Sequence, residues 1–145
     1  MKVKSIIALL LIGFLSITAF AQTHILHLSI TNIRNTSGRI QVQIFKDKEA
    51  FDNETPWKSV LITKSTYQKG NTLLYDVTGI PAGTYGMAIL DDENSDTKMN
   101  YSFLLPTEGF GFSNYYHTAW SKPKFDSFKF TVNEDVNINI KVRYV

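Results

Sequence analysis

The sequence predicts an all-β protein: one antiparallel β-sandwich of about seven strands with one long loop region. Three observations carry this prediction. Apolar and polar residues alternate with period two in short runs, as half-buried strands require. Clusters of Gly, Asn, Ser and Pro separate the runs. Past residue 22 no segment has the periodicity of an amphipathic helix of globular length.

The chain opens with Lys2 and Lys4, then an apolar, uncharged run from Ser5 to Phe20. Ala19-Phe20-Ala21 is a small-x-small cleavage site, so residues 1–21 read as an export signal and 22–145 as a single domain. The polar segment after it argues against a stable membrane span once the signal is removed. The expected location is exported, periplasmic or secreted. Lys2 and Lys4 leave with the signal. The 15 basic and 13 acidic residues of the full chain then balance, and no basic cluster remains for nucleic acid or an anionic membrane. Cysteine is absent, which excludes disulfides, thiol nucleophiles and Cys-type metal sites.

The first strand is His24–Ile30, with Leu26, Leu28 and Ile30 on one face. Arg39–Phe45 follows, with Ile40, Val42 and Ile44 inward. The turn cluster Asn35-Thr36-Ser37-Gly38 between them predicts a hairpin. Lys46–Asp52 is polar and has room for one helical turn, and Trp57–Ile62 resumes a strand. Turn residues at 68–71 precede a strand at Thr72–Val77. Gly79–Gly83 reads as a turn before the strand Thr84–Leu90. Residues 91–123 form the long loop, whose length in a compact domain points to function or ion ordering. Ser127–Val132 and Val136–Val142 close the chain as strands, with Asn133-Glu134-Asp135 expected to join them as a hairpin.

Four acids crowd the start of the long loop, at Asp91, Asp92, Glu93 and Asp96. Counted from Asp92, side-chain oxygens fall at the first, third, fifth and ninth positions: Asp92, Asn94, Asp96 and Asn100. Odd spacing turns successive oxygens toward one centre, as hard Ca²⁺ needs, so these four residues are the candidate metal ligands. Thr97 stands where a sharp turn would use Gly, Phe103 stands where a bidentate Glu would close the shell, and Glu108 lies further on. A solvated acidic turn, with Asp and Asn bonding their own backbone, is the alternative.

Gly79–Asn100 followed by Leu104–Asn114 resembles the bacterial exported domain of unknown function 2141. Asp92, Glu93, Asn94, Asp96 and Asn100 match one of that family's two segments; Pro106, Glu108, Gly109, Gly111, Phe112 and Ser113 match the other. Asp91 replaces a His, Ser95 and Thr97 replace Gly, and Asn100 replaces Asp. The resemblance covers nearly all of residues 22–145. It implies an exported β-sandwich, immunoglobulin-like or transthyretin-like in outline, with no established activity.

Phe110, Phe112, Tyr115, Tyr116 and Trp120 concentrate aromatic surface in the loop and are the candidate ligand-binding residues. Flat apolar faces with a polar rim suit sugar rings or peptides, and the same rings could instead hold the loop onto the sandwich. No nucleophile elbow, HExxH, P-loop or dinucleotide fingerprint occurs, so no enzyme is expected. The expected function is a non-catalytic module binding a protein or glycan at the cell envelope, with Ca²⁺ as the one candidate cofactor. Two alternatives stand beside it. One is an assembly subunit pairing through the Val136–Ile140 edge; the other is a small hydrolase of envelope polymers using the loop carboxylates.

Overall fold

The computed structural model describes residues 22–145, so the export signal expected at 1–21 lies outside the described residues. The chain is a sandwich of two sheets. The elements are β1 (Thr23–Thr31), β2 (Arg39–Phe45), α1 (Lys48–Asp52), β3 (Lys58–Thr63), α2 (Lys64–Tyr67), β4 (Gln68–Lys69) and β5 (Thr72–Pro81). They continue with β6 (Gly83–Asp92), β7 (Tyr101–Ser102), β8 (Leu105–Pro106), β9 (Gly109–Phe112), a 3₁₀ turn (Phe125–Ser127), β10 (Lys129–Val132) and β11 (Val136–Lys141). One sheet runs β11-β1-β5-β4 and the other β10-β6-β2-β3, with β9 also on β6 and β7-β8 a separate hairpin. No helix among the described residues is long and apolar enough to cross a membrane.

Alternation builds the core between the sheets. Leu26, Leu28 and Ile30 of β1 join Ile40, Val42 and Ile44 of β2, Met87 and Ile89 of β6, and Ile138 and Ile140 of β11 in one buried cluster. The opposite face of β2 and β6 is not left to solvent throughout. Phe45, Phe51 of α1, Phe112 of β9, and Phe125 and Phe128 form a second, aromatic core on it. The Asp47 side chain caps α1 by accepting from Ala50 N at 2.8 Å and so aims Phe51 at those rings. Gly86 is needed there, because a Cβ would sit 2.6 Å from Phe125 and Phe128 carbons.

Both expected hairpins are corrected. β1 and β2 lie in different sheets, and so do β10 and β11. The link after β1 is a crossing rather than a turn: Asn32 adopts φ 64°, Ile33 is buried, and Ile33 N donates to Asn71 O. After β10, Asp135 turns back to accept from Ile25 N at 2.8 Å. β11 runs parallel to β1, so the sandwich is not purely antiparallel. The expected turn at 79–83 is also mostly strand. Ile80 and Pro81 stay in β5 opposite His24 and Thr23, because Ile80 is apolar and fully buried. The long loop contains paired strand: β9 lies antiparallel to β6 at Ala88–Asp91.

Candidate functional site

The acidic loop grows directly out of β6. Its last two residues, Asp91 and Asp92, are still in register with Ile40 and Arg39 of β2 and point to opposite faces. Asp92 is fully buried. Its Oδ1 accepts from Asp96 N at 2.9 Å, and its Oδ2 accepts from Thr97 N at 3.1 Å and Arg39 Nε at 2.9 Å. Asn94 Oδ1 accepts from Asp96 N at 3.0 Å, and Asp96 Oδ1 accepts from Lys98 N at 2.8 Å. The Asn94 and Asn100 amides both donate to Asp96 Oδ2 at 3.1 Å. Ser95 and Thr97 take φ of 62° and 66°, left-handed positions that glycine occupies more cheaply.

Asp92, Asn94, Asp96 and Asn100 therefore share one knot, and Glu108 completes it from the far side of the hairpin. Glu108 is buried, and accepts from Glu93 N at 3.0 Å and Asn100 N at 3.3 Å. Burial raises its carboxyl above the ordinary value, against those two backbone donors. The Lys98 backbone N–H, with Asn100 and Asn94, lowers Asp96. Oxygens of Asp92, Asp96 and Glu108 lie within 4.8 Å of one another. With Arg39 bonded to Asp92, the three carboxylates keep a net negative charge in a small volume, a donor set suited to a hard oxygen-seeking cation.

Asp91 enters the opposite face. It is fully buried, as is its partner Lys64, and Lys64 Nζ donates to Asp91 Oδ1 at 2.5 Å. Tyr144 Oη donates to Asp91 Oδ2 at 2.5 Å and accepts from Arg34 N at 3.1 Å. Burial pushes Asp91 up from the usual carboxylate range, opposed by Lys64 and Tyr144. Burial and the Asp91 hydrogen bond push the Tyr144 hydroxyl up in turn. Gly109, opposite Asp91 in register, leaves the room: a Cβ there would meet Tyr144 and Val142 carbons at 2.4 Å.

Beside the acidic knot a groove of about 700 Å³ opens on the outer face of β2, β6 and β9. Gln41, Gln43, Leu90 and Phe110 contribute to its floor; the β7–β8 hairpin and residues 117–123 wall it. The hairpin turn is Phe103-Leu104, at φ 47° and 68° and 99 % and 94 % exposed. Two bulky residues in left-handed backbone, turned to water, cost roughly 1–2 kcal/mol each. Positive φ at both central positions is what a two-residue hairpin turn uses to match the twist of its strands, so the strain belongs to the turn itself. On the other wall Trp120 is 76 % exposed. Arg143 lies between the rings of Phe110 and Trp120 and donates to the carbonyls of His117 and Ala119 at 2.9 and 3.0 Å.

The five candidate aromatics are thus divided. Phe110 and Trp120 line the groove. Phe112 also touches it but is only 8 % exposed and belongs to the aromatic core. Tyr115 and Tyr116 lie in a separate, smaller hollow with Asn114, Asn139 and Lys141. Sequence reasoning missed the groove's other contributors: Tyr101, Leu104, Gln41, Gln43 and His117. The hairpin carries no Asn-Gly or Asp-Gly signal, and Gln41 and Gln43 read as the ordinary outer face of a strand.

A family model described as "Uncharacterized protein conserved in bacteria" (domain of unknown function 2141) matches residues 28–140. No curated protein and no solved structure matches the chain.

Proposed function

The chain belongs to this uncharacterised bacterial family, and from that premise we propose that it is an exported, non-catalytic module that binds glycan chains at the cell envelope. The observation that carries the reading is the groove between the β7–β8 hairpin and residues 117–123. Its volume is in the range of ligand sites, and it combines flat aromatic faces with neutral amides. Sugar rings present apolar faces and a rim of hydroxyls, which Trp120, Tyr101 and Phe110 with Gln41 and Gln43 complement. Of the three cations on the groove's lining, Arg143 bonds two carbonyls, Lys122 bonds Phe51 O at 3.0 Å, and Lys98 lies close enough to the Asp96 carboxylate to help lower it. That favours a neutral ligand over a strongly acidic one. A cation among Asp92, Asp96 and Glu108 would fix the root of the hairpin and hence one wall of the groove.

The assembly alternative is weakened at its proposed edge. β11 is at the sheet margin, but Asn114 N donates to Asn139 O at 2.8 Å and Asn139 N donates to Asn114 Oδ1 at 2.9 Å. The backbone that a second strand would need is occupied there.

Two results are expected. In a screen of soluble oligosaccharides, Trp120→Ala lowers affinity for the retained glycan at least about tenfold, since stacking on an anchor residue contributes upward of 1 kcal/mol. Its melting temperature stays near wild type, because the ring is mostly exposed. Equal binding by both proteins would remove the groove from the account. Separately, Ca²⁺ added after chelation raises the melting temperature by a few degrees, about 2.7 kcal/mol at a hundred times its Kd, and Mg²⁺ does not. Calcium without effect would discard the cation and leave the groove standing.

A further inference from the structure

We infer that Lys64 and Asp91 condense to an intramolecular amide, a covalent staple between the start of α2 and the end of β6. Both side chains are fully buried, and Nζ lies 2.5 Å from Oδ1. The carboxyl carbon one bond further on is then roughly 3–3.5 Å away, the separation of a near-attack contact. The partners around the pair fit an amide better than an ion pair. An ammonium has three N–H donors, and among the described residues Lys64 Nζ meets two acceptors, Asp91 Oδ1 and Asn35 Oδ1 at 3.1 Å. A secondary amide has one N–H and one carbonyl. Asn35 Oδ1 is placed to accept the first, and the Tyr144 hydroxyl, 2.5 Å from Oδ2, is placed to donate to the second.

The step balances without a co-reactant. The ammonium passes one proton to the carboxylate oxygen it touches. The freed amine attacks Cγ, forming the N–C bond, while Tyr144 Oη–H steadies the charge that develops on Oδ2. The nitrogen loses a second proton to Oδ1, the Cγ–Oδ1 bond breaks, and one water leaves. Two buried charges become one neutral, hydrogen-bonded group, so the desolvation cost of the ion pair drives the reaction forward. The residues joined are 27 apart in sequence, and the chain has no cysteine with which to make any other staple.

The test is mass spectrometry of the purified wild-type chain under denaturing conditions, with its N-terminus read from the same sample. The expected intact mass is lower than the sequence mass by one water. The digest gives a branched peptide joining the Lys64 and Asp91 segments, with no tryptic cut after Lys64. Lys64→Ala and Asp91→Ala each restore the full sequence mass. A wild-type chain of full mass, with a linear peptide ending at Lys64, overturns the inference. So does a loss of one ammonia with the branch at Asn35, which would make the asparagine the acceptor. The readout is on wild type, so poor folding of a variant does not decide it.

Discussion

Asp91→Ala destabilises the protein by about 3–5 kcal/mol, seen as a melting temperature lower by roughly 10 °C or more. The reason is what remains. Lys64 has no exposed surface, and without Asp91 its ammonium keeps only the Asn35 side-chain oxygen at 3.1 Å. A buried charge stripped of its counter-charge costs far more than the pair contributed when intact. The Tyr144 hydroxyl loses its acceptor in the same stroke. The effect follows whether the pair is ionic or condensed, since either way Lys64 is left alone. Lys64→Met combined with Asp91→Leu recovers a large part of the loss, because two apolar side chains of similar length remove both charges together. Thermal denaturation of the single and double variants checks this. A double variant no better than Asp91→Ala would contradict the charge argument.

Phe128→Ala costs a similar amount, about 3–5 kcal/mol, by a different route. Phe128 is buried on the outer face of the β6 sheet, with ring centroids 4.9 Å from Phe51, 5.1 Å from Phe112 and 5.5 Å from Phe125. Each partner comes from a different segment: α1, β9 and the 3₁₀ turn. Removing the central ring opens a cavity that backbone fixed on three sides cannot collapse to fill. The denaturant midpoint falls accordingly, while Phe103→Ala, at the fully exposed hairpin tip, stays within about 0.5 kcal/mol of wild type. The aromatic core also supports the groove floor through Phe112 and Phe110, whose rings are 6.1 Å apart. On the proposed glycan-binding function, Phe128→Ala weakens binding as well as stability.

The sandwich was legible where physics is local. Period two in Leu26-His27-Leu28-Ser29-Ile30 and in Ile40-Gln41-Val42-Gln43-Ile44 marks the inner faces because side chains alternate across any strand. Pairing was not legible. Turn residues at 35–38 and 133–135 suit a hairpin and a crossing equally, and only long-range partners decide between them. The strand β9 was hidden by its composition. Gly109 and Gly111 face inward, where a Cβ would strike Tyr144, Val142 and Ile140, so the inner face carries no apolar signal. At the site, the knot of Asp92, Asn94, Asp96 and Asn100 followed from odd spacing, because short polar side chains curl a backbone about themselves. Glu108 completes that knot from fifteen residues beyond Glu93, a separation no local pattern encodes. Asp91, next to Asp92 in sequence, serves a different structure because adjacent strand residues face opposite ways. The partition of the five aromatics between groove, core and the Tyr115–Tyr116 hollow depends on where β9 docks, which the sequence does not show.

The groove as a glycan site is tested most directly by backbone amide shifts, followed while the oligosaccharide retained in the screen is titrated into the isotope-labelled protein. The expected result is saturable shifts at Gln41, Gln43, Leu90, Phe110 and Trp120, with Tyr116 and Lys141 in the other hollow unmoved. Shifts centred on Tyr116 and Lys141, or none along the groove at saturation, would contradict the account.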